Sequence, residues 1–234
     1  MNEEQITQRS FNEEAPKIVN ANEPHMACLF LVDTSISMEG QPIEELNAGL
    51  NQFKRQVCQD KLTRDILDVA IVEFNSIVNV VQPFVPVEYM EPVRLTADGG
   101  TNMTAGLRTA IDMIDDRYRF YKRTSGQPYC PWVVMITDGY PNDSIDSIAE
   151  EIAQLDSEDK MRLWSLAVQG ANTDLLNKLG HGKRVLALRG YDFSKFFDWV
   201  NKSMRAISVS SPGERAKGQD LPDNVDKAVS DDWM

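Results

Sequence analysis

The chain has 234 residues, of which 42% are hydrophobic and 26% charged, and a formal net charge of −12. Those proportions suit one globular α/β domain with tails better than two domains. So acidic a balance excludes the basic footprint of a nucleic-acid or anionic-membrane binder and leaves cations and basic protein surfaces as the expected partners.

In chain order, residues 1–24 mix Asn, Glu and Gln with few large apolar groups and read as a tail. The start, Met1-Asn-Glu-Glu-Gln, is acidic where a secretory signal is basic and then apolar, and no apolar run approaches the roughly 20 residues that cross a bilayer. A soluble, cytoplasmic protein is expected. Met26–Val32 is a short continuous apolar run, the pattern of a strand covered on both faces. Ile43, Leu46, Leu50, Phe53 and Val57 then recur at helical spacing. Ile66–Phe74 and Ile77–Val81 are separated only by Asn75-Ser76, too short for a crossover helix, so this pair reads as an antiparallel hairpin. Leu107, Ala110, Ile111 and Ile114 mark the next helix, Trp132–Ile136 a strand, and Ile145, Ile148, Ile152 and Leu155 another helix. Leu163–Val168 and Val185–Leu188 are further strands. Phe193, Phe196, Phe197, Val200 and Met204 form the apolar stripe of a last helix. From 208 onward the chain is polar again, apart from Trp233, which suits docking on the body or on a partner. Cys28, Cys58 and Cys130 are far apart and in no C-x-x-C pairing, so they read as buried or half-buried thiols rather than a disulfide framework or zinc site.

Strand and helix in alternation predict a doubly wound, mostly parallel six-stranded sheet with one antiparallel edge strand and helices on both faces. The implied division is a tail over 1–24, a domain over 25–207, and a flexible or partner-docking tail over 208–234.

In an open α/β sheet, ligands bind where loops leave the carboxyl ends of the strands. The first strand ends in Asp33-Thr-Ser35-Ile-Ser37 and the fourth in Ile136-Thr-Asp138-Gly139. A Gly-rich loop, Asp98-Gly-Gly-Thr101, opens the helix between them. Asp33, Ser35, Ser37, Thr101 and Asp138 are expected to converge there as two carboxylates and three hydroxyls, with no imidazole and no thiolate. An all-oxygen set suits a hard divalent cation, Mg²⁺ first, with Mn²⁺ or Ca²⁺ as alternatives. With few carboxylates around it, such a cation keeps an excess of charge and can accept a further anionic oxygen.

Asp33-x-Ser35-x-Ser37, Thr101 within Gly-Gly-Thr and Asp138 within Thr-Asp-Gly resemble the metal-ion-dependent adhesion site of von Willebrand factor type A domains, over about residues 26–206. Leu-Val-Asp-Thr-Ser with the following Met38-Glu-Gly-Gln-Pro-Ile, and Thr137-Asp-Gly-Tyr-Pro-Asn-Asp, look similar to the bacterial TerY-like proteins associated with tellurite and stress resistance. The resemblance implies a Rossmann-like fold, Ser35, Ser37 and Thr101 as metal ligands, and Asp33 and Asp138 acting directly or through water. It also implies a partner protein that presents Asp or Glu to the cation. One position departs from the family pattern: Ile36 stands where Gly is common, and a β-branched residue there restricts the loop and sets an apolar wall beside the site.

Around this core, Asp98, Asn102 and Thr104 are candidates to orient the ligands, and Glu39 and Tyr140 flank the mouth. Gly99-Gly100 lacks the spacing of a phosphate-cradling loop. His25 and His181 lie outside the constellation, which leaves a His-dependent nucleophilic triad unsupported. The expected function is therefore a metal-dependent protein-binding module, not an enzyme, acting as a scaffold or assembly element in an intracellular complex. Two other readings stay open. One is an interaction domain whose metal site is absent or inessential. The other is a Mg²⁺-dependent phosphoryl-transfer enzyme with Asp33 as nucleophile, against which stands Ser35 in the place of the second carboxylate that haloacid-dehalogenase-type enzymes require.

Overall fold

The computed structural model describes residues 22–141, 144–214 and 218–228. Trp233 and nearly all of the expected N-terminal tail lie outside the described residues. The elements run β1 (Met26–Asp33), α1 (Gln41–Val57), α2 (Lys61–Ile66), β2 (Leu67–Phe74), β3 (Val78–Pro86), α3 (Met103–Thr124), β4 (Trp132–Thr137), α4 (Asp146–Ser157), β5 (Arg162–Ala167), α5 (Thr173–Leu179), β6 (Val185–Leu188), α6 (Ser194–Ser208) and β7 (Val225–Lys227). Single 3₁₀ turns stand at Ile36–Met38 and Val87–Tyr89. Among the described residues no helix is long and apolar enough to cross a membrane.

One sheet takes the order β3-β2-β1-β4-β5-β6-β7. The inner pairs are parallel, as βαβ crossovers require, and β2 and β3 form the antiparallel hairpin that the two-residue gap predicts. The sheet has seven strands rather than six. The addition is β7, antiparallel to β6, within the segment expected to be a tail. Its sequence, Val-Asp-Lys, exposes two of its three side chains, so it offers no apolar run to read.

All eight residues of β1 are buried, because helices cover both faces of the sheet. Met26, Cys28, Phe30 and Val32 point into the layer under α1 and α6. Ala27, Leu29 and Leu31 point into the layer under α3, α4 and α5. At roughly 1.5–3 kcal/mol for each fully buried Leu, Val, Phe or Met, this strand alone anchors both layers. The short helices α2 and α5 carry few apolar residues and escape a periodicity search, yet each has a side-chain cap: Asp60 accepts from Thr63 N at 3.1 Å and Asn172 from Leu175 N at 3.1 Å. Cys28 is buried, and Cys58 and Cys130 are half-buried free thiols.

A polar cluster is sealed inside the second layer. Arg117 of α3 donates to Asp68 Oδ2 near the start of β2 from Nη2 (2.5 Å) and Nε (3.2 Å), and the Tyr121 hydroxyl donates to the same oxygen at 2.5 Å. The Arg117 guanidinium lies 4.8 Å from the Phe120 ring centroid, and His25 stacks on Tyr121.

Candidate functional site

The sheet order makes the gap between β1 and β4 the topological switch point. From β1 the chain runs outward through β2 to β3, then crosses back to β4 on the other side, so the loops leaving β1 and β4 diverge and open a crevice. Asp33 is the last residue of β1, and Thr137 the last of β4.

Asp33 is fully buried. Its Oδ1 accepts from the Ser35 backbone N–H at 2.8 Å and its Oδ2 from the Thr137 hydroxyl at 2.6 Å. The Ser37 hydroxyl donates to Asp138 Oδ1 at 2.8 Å. Ser35 Oγ lies 3.0 Å from Ser37 Oγ. Thr101 reaches the same spot from the Gly-rich loop. A methyl group built on Gly139 would stand 3.0 Å from Asp33 Oδ2 and 3.2 Å from Thr101 Oγ1. Gly139 thus keeps clear the space where the two side chains face each other. Thr101 is only 7% exposed, and among the described residues its hydroxyl has no hydrogen-bond partner. All five oxygen-bearing side chains picked from the sequence therefore meet at one place.

The electrostatics of the cluster are unbalanced. Burial raises the Asp33 carboxyl above its ordinary range, hydrogen bonds from Ser35 and Thr137 oppose that, and the Asp138 charge adds to it. Asp138 is raised by its own burial against the Ser37 hydrogen bond. Among the described residues neither carboxylate has a basic partner. A cation between them would supply the missing charge, and the free Thr101 hydroxyl and the Gly139 clearance fit an oxygen-liganded ion. Among the described residues there is no group of three or more His, Cys, Asp or Glu side chains able to hold a metal. Hydroxyl oxygens would have to complete any shell here.

The surrounding loops are stitched together through their backbones. Ile36 N donates to Gly99 O at 3.0 Å, Asp98 N to Thr34 O at 2.8 Å, and Gly100 N to Ser76 Oγ at 2.8 Å. Gly99, at φ 70°, takes the left-handed turn this requires. Ile36 is not among the residues with positive φ, and its side chain is 55% exposed. The departure at Ile36 therefore strains nothing in the backbone and sets an apolar group at the rim. Of the residues expected to orient the ligands, Thr104 donates to Ser144 O at 3.3 Å, Asn102 precedes the first turn of α3, and Asp98 is exposed. Asp33 is oriented by Thr137, which sequence reasoning missed. It donates to Asp33 and accepts from Gly139 N at 3.1 Å. Its only signal was a hydroxyl in the last position of a strand. Glu39 and Tyr140 are exposed beside the site, while His25 is buried on Tyr121 and His181 Nε2 lies 3.2 Å from Ala149 O.

The family model for the von Willebrand factor type A domain matches residues 28–201. The chain belongs to that family. Several solved structures resemble this von Willebrand factor type A domain. Proximal thread matrix protein 1 from the mussel byssus is 22% identical, with a TM-score of 0.55 over 80% of this chain and 47% of that one. The pilus adhesin SpaC from Lactobacillus rhamnosus GG is 14% identical, with a TM-score of 0.65 over 78% of this chain and 30% of that one. A manganese-loaded Plasmodium vivax TRAP protein is 18% identical, with a TM-score of 0.53 over 76% of this chain and 73% of that one. At such identities the likeness is one of fold. The chain spans less than half the length of the first two. No curated protein matches the sequence.

Proposed function

We propose that this von Willebrand factor type A domain is a metal-dependent protein-binding module, in which a divalent cation held by Asp33, Ser35, Ser37, Thr101 and Asp138 captures an Asp or Glu of a partner protein. The observation that carries the reading is a pair of carboxylates without a basic counter-charge among the described residues, Asp33 fully buried and Asp138 half-buried, joined through the Ser35 backbone N–H and the Ser35 and Ser37 hydroxyls. When bound, the cation supplies positive charge and an exchangeable coordination position for an anionic oxygen. Asp33, held at both oxygens by Ser35 and Thr137, orients the first loop; Thr101 brings in the Gly-rich loop; Asp138 closes the fourth strand's side. Mg²⁺ and Mn²⁺ are the favoured ions, and the manganese-loaded structure of similar fold supports that choice. No imidazole or thiolate belongs to the cluster, and Ser35 occupies the place of an acid/base carboxylate, so we read the domain as a binder and not a phosphoryl-transfer enzyme. Its resemblance to TerY-like proteins favours a scaffold or assembly role in a cytoplasmic stress-resistance complex.

The test is calorimetric titration of Mg²⁺ and Mn²⁺ into the purified chain, with melting curves, for the wild type and Asp33→Asn. Saturable binding and a raised melting temperature in the wild type alone are expected; no heat and no shift with either ion would overturn the metal reading. A second reading, a domain that binds partners without metal, draws support from the way Ser35, Ser37 and Asp138 already satisfy one another. Partner capture that survives both EDTA and Asp33→Asn would establish it.

A further inference from the structure

The chain's acidity is not spread evenly. The described loops around the candidate site, 34–40, 75–77, 96–102 and 138–141, contain no Lys or Arg. Positive charge gathers instead at the opposite end of the sheet. There the second half of α3 carries Arg119, Lys122 and Arg123 on its outer face, and Lys160 follows the end of α4. Between α3 and α4 lies a groove of about 480 Å³, within the range of roughly 300–1,000 Å³ typical of ligand sites. Its floor is apolar, with Ile114 and Leu155, and its walls carry Arg119, Lys122 and Arg123 from α3 and Lys160 from the facing side, against a single carboxylate, Asp115.

We propose that this groove is a second binding site, distinct from the Asp33 cluster, that takes a short acidic segment of a partner protein seated around one large apolar side chain. Two observations set the charge of the occupant. Among the described residues Lys122 and Arg123 have no carboxylate partner: Lys122 donates to Gln127 Oε1 at 2.7 Å and lies 5.4 Å from the Tyr118 ring centroid. Arg119 and Lys160 are held only by exposed partners, Asp115 at 2.7 Å and Glu158 at 2.6 Å, and such solvent-screened pairs exchange partners readily. A third observation sets its size. Arg119 and Arg123 are one turn apart, about 6 Å along α3 at 1.5 Å per residue, and Lys160 faces them across the apolar strip. A single headgroup, as on a fatty acid, would use one of these cations. Several carboxylates on a peptide that straddles the strip would use them together, with an apolar side chain between them on Leu155 and Ile114.

The test uses the full chain, ¹⁵N-labelled, titrated with the synthetic peptide Glu-Asp-Leu-Trp-Glu-Asp-Leu-Glu. Shifts are expected at Tyr118, Leu155 and Met161, with binding that weakens at least fivefold as salt rises from 50 to 300 mM and is indifferent to EDTA. Lys122→Glu with Arg123→Glu should weaken it tenfold or more while leaving the rest of the spectrum unchanged. A peptide with Lys in place of every acid should leave the groove resonances unmoved; equal binding of that peptide would overturn the proposal. So would acidic-peptide shifts confined to the Asp33 end, no shifts at all, or decanoate occupying the groove in preference to the peptide. Because the outcome does not involve the cation, success or failure here is separable from the fate of the metal reading.

Discussion

Two aspartates are buried in this sheet, at opposite ends, and they are solvated in opposite ways. Asp68, near the start of β2, accepts from Arg117 and Tyr121, and its charge is neutralised inside the core. Asp33, at the end of β1, has only backbone and hydroxyl donors, stands near a second carboxylate and is pushed upward in pKa. A buried charge costs several kcal/mol unless paired. The first arrangement settles that cost within the chain, and so is a fastening of α3 to the sheet. The second leaves it open, which is the electrostatic basis of the proposed cation site.

The contrast breaks most visibly at Arg117. Arg117→Leu strips Asp68 of its counter-charge in a sealed layer and should cost about 3–5 kcal/mol, read as a fall in the urea midpoint. Asp33→Asn should behave otherwise: without metal its midpoint should equal or exceed that of the wild type, since a destabilised charge is removed. In Mg²⁺ at a hundred times the wild-type Kd, the wild type should gain about 2.7 kcal/mol and the variant nothing. A variant that unfolds like Arg117→Leu would put Asp33 in the structural class instead.

Gly139→Ala sharpens the same contrast sterically. Its methyl would stand 3.0 Å from Asp33 Oδ2, so about 1–3 kcal/mol of overpacking is expected, with a loss of cation affinity beyond the loss of stability. Calorimetry with melting curves would check both. Tyr121 offers a pH handle on the fastened end. Burial and the Asp68 charge hold its pKa well above the ordinary tyrosine value. A raised folded pKa means its contribution is whole below about pH 10 and declines as pH climbs through the interval above, by up to about 1.4 kcal/mol per pH unit. Denaturant midpoints of Tyr121→Phe should therefore fall less steeply than those of the wild type in that interval. The smallest effect belongs to Ile36→Gly. With Ile36 at ordinary φ and its side chain exposed, about 0.4–1 kcal/mol of backbone entropy should be lost, with cation affinity unchanged.

Much of this molecule was legible from its residues in order. Continuous apolar runs such as Met26–Val32 announce strands covered on both faces, and Asn75-Ser76 is too short for anything but a hairpin. The five oxygen donors were legible because each stands next to a strand end or a Gly-rich turn, where local pattern and the geometry of α/β sheets coincide. β7 was hidden because two of its three side chains face water, which leaves Val225 as its one buried residue and no apolar run to read. Thr137 was hidden because its value lies in a hydrogen bond to a residue 104 positions away.

Asp68 and Arg117 show the boundary most clearly. Each looks misplaced in its own element, an acid in the strand Leu67-Asp-Val and a base on the apolar stripe of α3 between Ile114 and Tyr121. Periodicity can flag both, but 49 positions separate them, and nothing local says that they meet. The groove beside α3 is of the same kind, since its walls come from separate helices. The sequence alone determined what is written in short-range pattern: the alternation of elements, the strand ends and the oxygen-bearing residues of the candidate site. Tertiary structure alone decided which charges are neutralised and which remain open, because Coulomb energy and desolvation depend on distance and burial in space, and folding sets both.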